Sequence, residues 1–147
     1  MIQRKIMILV CLAIALVACG PKKPALTPLQ MWITIQPDAS ANSGKVFWMV
    51  IKEVDENQFA NDIYDRIEST FLAEDWGPDV LGVFPVVPGT ERRITITRPT
   101  FRHAGFYFLF TEPREYWKVI LKQPIGTNYD LRIEEYKASV SRRMSAW

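Results

Sequence analysis

Short apolar runs, several alternating with period two and punctuated by Pro, Gly and Asn, dominate the chain after residue 29. Residues 31–35, Met-Trp-Ile-Thr-Ile, form the first β-type run. Residues 36–45 are polar and small, with Pro37, Asn42 and Gly44, and predict a loop. Residues 46–54 open with the almost wholly apolar stretch Val46 to Ile51, which suits a strand buried on both sides or central to a sheet. Residues 92–97 place Ile94 and Ile96 on one face and predict a half-exposed strand. Strands are also predicted at 80–87, 105–110, 116–122 and 129–136, and Pro85 marks the first of these as an edge or irregular strand.

One segment changes period. Phe59, Ile63, Ile67 and Phe71 recur every four residues, behind possible caps at Asp55, Glu56 and Asn57. This predicts one amphipathic helix over about 58–72, with Asp62, Asp65 and Glu68 on its wetter side. Gly77-Pro78 ends the region. Many short strands joined by turns, plus one helix, indicate a mainly β chain: a two-sheet β-sandwich with a short helical insertion at 57–78.

The first 29 residues are patterned differently. Arg4 and Lys5 precede an apolar run from Ile6 to Ala15, and Leu16-Val17-Ala18-Cys19 closes it. The run is about ten residues, the length of a signal-peptide core. A membrane span needs about 20. The ending resembles the bacterial lipobox, in which a peptidase cuts before the cysteine and the cysteine sulfur carries a diacylglycerol. Residues 1–18 are therefore expected to be a lipoprotein signal peptide, and Cys19 the lipidation site. Residues 19–29 carry Pro21, Pro24 and Pro28 and read as an extended tether. At about 3.1 Å per residue such a segment reaches roughly 30 Å. The domain proper is then 30–147.

Charge and composition narrow the function. The chain has 18 Lys+Arg and 16 Asp+Glu, and loss of Arg4 and Lys5 with the signal leaves the side chains balanced. No basic field exists to hold nucleic acid. The two cysteines are Cys11, in the signal, and Cys19, so no disulfide is expected and stability rests on packing. Five Trp, eight Phe and five Tyr supply large apolar area for it.

Catalytic chemistry is hard to assemble. His103 is the only histidine, which leaves neither a zinc set nor a triad. Ser40, Ser43, Ser69 and Ser139 lack a nucleophile-elbow setting. The carboxylates at Asp55-Glu56, Asp62/Asp65, Glu74-Asp75 and Glu134-Glu135 read as solvated helix and loop rims. No glycine cluster makes a phosphate cradle. Trp48, Trp76 and Trp117 read as core aromatics more readily than as a ligand platform, and Trp32 and Trp147 as peripheral. No enzyme activity, metal, cofactor or small-molecule substrate is expected beyond the covalent lipid on Cys19.

Taken in order, these landmarks resemble the small outer-membrane lipoprotein of the type VI secretion system, the TssJ family. The early strand 31–35, the polar loop and the apolar strand 46–51 come first. Asn57-Gln58-Phe59-Ala60 then opens the helical insertion, and Pro88-Gly89 precedes an alternating strand at 91–97. Ala104 to Phe110 resembles the family's Ala/Gly-led apolar strand, and Tyr116-Trp117-Lys118-Val119 its Trp-Arg strand. Lys118 departs from the family's arginine, and 46–51 lacks its frequent Arg and Tyr.

The resemblance implies a transthyretin-like sandwich, acylated and held on the periplasmic face of the outer membrane. Gly20, rather than Asp, after the cysteine favours that membrane. The implied partner is the periplasmic C-terminal region of the large inner-membrane secretion component. The implied contact is the loop between the first two strands: Gln36, Pro37, Asp38, Ala39, Ser40, Ala41, Asn42, Ser43, Gly44 and Lys45. Pro37 is expected to stiffen this loop, and Asp38, Ser40, Asn42 and Ser43 to offer hydrogen bonds. The rival expectations are a ligand- or glycan-binding envelope lipoprotein and an anchor subunit of another envelope complex.

Overall fold

The computed structural model describes residues 29–143. Cys19, the signal segment, most of the tether and Trp147 lie outside the described residues. The elements run β1 (Gln30–Pro37), β2 (Phe47–Val54), α1 (Glu56–Asn61), α2 (Tyr64–Ala73), β3 (Val80–Val86), β4 (Arg92–Thr97), β5 (His103–Leu109), β6 (Lys118–Leu121), β7 (Asn128–Glu134) and β8 (Lys137–Arg142). Two four-stranded sheets form, in the orders β4-β1-β7-β8 and β3-β2-β5-β6. Neighbours are antiparallel except β1 and β7, which run parallel.

Alternation produces the core. Met31, Ile33 and Ile35 of β1 and Leu131 and Ile133 of β7 face Phe47, Met49, Ile51, Phe106 and Phe108 from the other sheet. Odd-numbered residues of β1 point inward because successive side chains of a strand point to opposite faces. Residues between them, such as Gln36, stay on the outer face of the first sheet.

The second sheet is buried on both sides, as the unbroken apolar run of β2 predicts. Its outer face forms another core: Val50, Val54, Tyr107 and Leu109 pack against Ile67, Phe59 and Phe71 of the helices. The molecule therefore has three layers: helices, β3-β2-β5-β6, and β4-β1-β7-β8. Trp76 and Trp117 are half-buried in the helix–sheet layer. β3, with Pro85, is an edge strand as expected.

Three expectations need correction. The single helix is two. Asp62 (φ −67°, ψ 123°) and Ile63 (φ −105°, ψ 150°) are extended and break it. The break rotates the face, so Ile63 is 55% exposed and Asp62 is buried instead of wet. Gln36 and Pro37 belong to β1 rather than to the loop. The C-terminal strand β8 went unread, because Lys-Ala-Ser-Val-Ser-Arg buries only small side chains and has no strong apolar signature.

Strand directions sort the connections into two ends. The turns between β1 and β2, β3 and β4, β5 and β6, and β7 and β8 share one end. Residue 29, the 98–102 turn, the β6–β7 connection and residue 143 share the other.

Candidate partner-docking end

The loop after β1 is built on left-handed backbone. Asn42 (φ 52°), Ser43 (φ 55°) and Gly44 (φ 75°) follow one another in this region. Asparagine and glycine visit it more readily than most residues. The loop closes on itself through Ala41 N to Asp38 O at 3.0 Å, Ser43 N to Ser40 O at 3.0 Å and Lys45 N to Asn42 O at 3.1 Å. From the β3–β4 turn, Gly89 (φ 73°) donates to Pro37 O at 3.0 Å.

Asn42 ties this loop to its neighbours and is fully buried. Its Oδ1 accepts from Thr111 N at 2.8 Å and Thr111 Oγ1 at 2.9 Å. Its Nδ2 donates to Lys45 O at 3.0 Å, and its backbone N–H to Glu135 O at 2.7 Å. Ser43 Oγ lies 2.6 Å from Tyr136 Oη. Asn42 and Ser43 therefore use side-chain hydrogen bonds within the chain, Asn42 from a fully buried position and Ser43 from an exposed one. Ala41 is buried too. Gln36 Nε2 donates to Glu91 Oε2 at 3.0 Å, and buried Pro37 closes β1. Asp38, Ala39, Ser40, Gly44 and Lys45 are the exposed remainder of the ten expected residues, with Ser43 exposed but bonded.

Asp38 and Ser40 form one wall of an open cleft of about 560 Å³. Arg114, Glu115 and Tyr116 of the β5–β6 loop and Glu134 to Lys137 of the last hairpin form the others. Arg114 sits over the Tyr136 ring at 4.7 Å, and Lys137 lies 5.4 Å from the Tyr116 ring centre. Tyr136 packs edge-on to Phe110 at 5.7 Å, which fixes the cleft floor to the core. Carboxylates outnumber cations in the lining. Beside the loop, Val46 and Val87 form an exposed apolar shelf that continues to Trp48, 38% exposed and 5.3 Å from the Phe71 ring. Trp48, expected among the core aromatics, is instead exposed, because its side of β2 is only partly covered by Phe71. The cleft was not legible from sequence, because Asp38 and Lys137 on its walls are nearly a hundred residues apart.

The residues weighed for chemistry take structural roles. His103 Nδ1 accepts from Gln123 N at 3.1 Å. Asp62 accepts from Tyr107 Oη at 2.5 Å, and burial together with that bond raises the Tyr107 pKa. Lys118 Nζ donates to Phe59 O at 2.6 Å and Asp62 O at 2.7 Å, capping the carbonyls at the end of α1. Desolvation lowers its pKa, and the Asp62 charge pulls it back up. Among the described residues no group of three or more His, Cys, Asp or Glu could hold a metal ion.

The fold is shared with solved structures. The T6SS lipoprotein TssJ1 from Pseudomonas aeruginosa is 17% identical with a TM-score of 0.65, over 82% of this chain and 100% of that one. Lip from Serratia marcescens, a membrane bound component of the Type VI Secretion System, is 11% identical with a TM-score of 0.61, over 81% and 100%. A chain of a type VI membrane complex is 14% identical with a TM-score of 0.61, over 78% and 99%. No curated protein matches in sequence. Residues 48–133, more than half of the chain, match the family model for the N-terminal domain of IglE, and the chain belongs to that family, with the TssJ β-sandwich as its fold.

Proposed function

We propose that this chain is a non-enzymatic lipoprotein of a type VI secretion membrane complex. An acylated Cys19 holds it on the periplasmic face of the outer membrane, and its loop end docks the periplasmic C-terminal region of the large inner-membrane component. The observation that carries this reading is the layout. Residue 29, where the tether arrives, and the loop 38–46 lie at opposite ends of β1. Eight strand residues at about 3.3 Å each separate them by roughly 26 Å. A domain so built holds its docking end away from the lipid. The solved neighbours, which include a type VI lipoprotein and a chain of a type VI membrane complex, support the assignment to that apparatus.

Docking itself draws on rigidity. The hydrogen bonds of Asn42 hold the loop before any partner arrives, which lowers the ordering cost of association. Asp38, Ser40, Glu115 and Glu134 favour a basic segment, while Val46, Val87 and Trp48 offer apolar contact. Anchoring then raises local concentration, so modest affinity suffices. Packing of Trp76 and Trp117 between helices and sheet weighs against a glycan platform.

The test is binding of the full chain to the purified periplasmic C-terminal region of the inner-membrane component. Asp38→Arg with Ser40→Arg should weaken binding at least tenfold with an unchanged circular dichroism spectrum. Undiminished binding would remove the loop from the interface. No binding by the native chain would overturn the partner.

A further inference from the structure

We propose that the end of the sandwich opposite the loops is a lipid-facing surface, with Phe101 entering the interface of an anionic bilayer. Phe101, on the β4–β5 turn, is 91% exposed, the most exposed large apolar side chain of the described residues. Its ring does nothing for the fold. Leu29, 54% exposed, lies beside the turn: its carbonyl accepts from Arg98 N at 2.7 Å. The chain therefore leaves toward Cys19, ten residues before Leu29, from beside the turn that carries Phe101.

Charge agrees with lipid at this end. Asp55 and Glu56 are answered by Arg102 at 3.7 Å and Lys122 at 2.9 Å. Arg98 donates to the neutral carbonyl of Ile125 at 3.3 Å, and Arg142 lies against Gly126. Neither has a carboxylate partner among the described residues. The opposite end carries Asp38, Glu112, Glu115 and Glu135 on its turns and Glu134 at the end of β7, against the cations Lys45, Arg114 and Lys137, and so has an excess of negative charge. An anionic surface thus attracts one end and repels the other. An apolar ring flanked by arginines is the chemistry of membrane-interface contact. The surface would hold the domain upright, whereas a tether of roughly 30 Å alone would let it tumble. This inference rests on the reading of Cys19 as the acylated anchor, which brings the domain to the bilayer.

The test uses the full acylated chain in vesicles of phosphatidylethanolamine and phosphatidylglycerol. A fluorophore is attached at Thr100→Cys, exposed on the same turn and leaving Phe101 in place, or, as the control, at Glu112→Cys. Headgroup nitroxide lipids should quench position 100 at least threefold more than position 112, and omitting phosphatidylglycerol should at least halve that contrast. Adding Phe101→Ser to the 112-labelled chain should raise quenching at 112, because the domain is no longer held upright. Equal quenching at both positions in floated vesicles overturns the lipid-facing surface and leaves the Cys19 anchor standing. A contrast unaffected by phosphatidylglycerol overturns the anionic preference. A chain that does not float with the vesicles overturns the anchor and this inference together.

Discussion

Asn42 concentrates more structure than any other polar side chain of the loop end. Replacing it by Ala removes a fully buried amide that holds Thr111 N–H, Thr111 Oγ1 and Lys45 C=O through three part-buried hydrogen bonds. Each such bond contributes about 0.5–1.5 kcal/mol. Asn42→Ala should therefore lower stability by about 2–3 kcal/mol, read as a shift in urea midpoint, and a change under about 0.5 kcal/mol would refute the role. Sequence marks Asn42 as a loop residue and misplaces its hydrogen bonds, because Thr111, the donor to its Oδ1, is 69 residues away.

Two tyrosines set the alkaline limit. Tyr64 Oη donates to Phe110 O at 2.5 Å, and burial, aided by Glu68 and Asp65, pushes its pKa up to about 12. Tyr107 is raised as well. Both hold their protons more tightly folded than unfolded. Their contribution is complete below the unfolded value of about 10 and is lost as pH rises from there through the folded values. Lys118, shifted downward, works in the opposite sense in a lower window, stability rising with pH from its folded value up to its ordinary value of 10.5, so the tyrosines alone govern the fall beyond that. The urea midpoint should fall above about pH 10, and less steeply in Tyr64→Phe. An identical fall in that variant would exclude Tyr64 as a cause.

The helical layer shows how elements depend on contacts outside themselves. α1 is six residues long, too short to stand alone. Asp55 caps its start by accepting from Gln58 N at 2.7 Å, and Lys118, on a strand of the sheet beneath, caps its end. Lys118→Met should keep the packing against Phe59 and Trp117 but lose the cap. Amide exchange in Glu56–Asn61 should accelerate at least tenfold while the centre of β5 stays protected. Unchanged exchange in α1 would show that its apolar face suffices. The spacing of Phe59, Ile67 and Phe71 was legible as helix. The break was not, since it depends on Tyr107 and Lys118 drawing Asp62 inward.

The molecule as a whole has two unlike ends, and its proposed role needs both. Cys19→Ser should abolish co-flotation with outer-membrane vesicles while the domain keeps its fold, because no acyl chain can form. Retention in the membrane after that change would overturn lipid anchoring. Affinity for the partner measured in solution should be unchanged in the same variant, because the loop end lies the length of β1 away from the tether.

Alternation and apolar runs were enough to reveal the β-sandwich, the two-sided burial of β2 and the edge position of β3. These are local signals: strand pleat and side-chain polarity act over a few neighbours. The expected leader and the proposed acylation of Cys19 also rest on a contiguous pattern, which lies outside the described residues. Pairing was different. The parallel β1–β7 contact, the split helix and the enclosure of Asn42 arise from partners between 45 and about 100 residues apart, whereas β8 pairs locally with β7 and is hard to read because its side chains are small and polar. Whether a polar residue faces water, a partner or its own chain depends on those distant groups, and no local pattern records them.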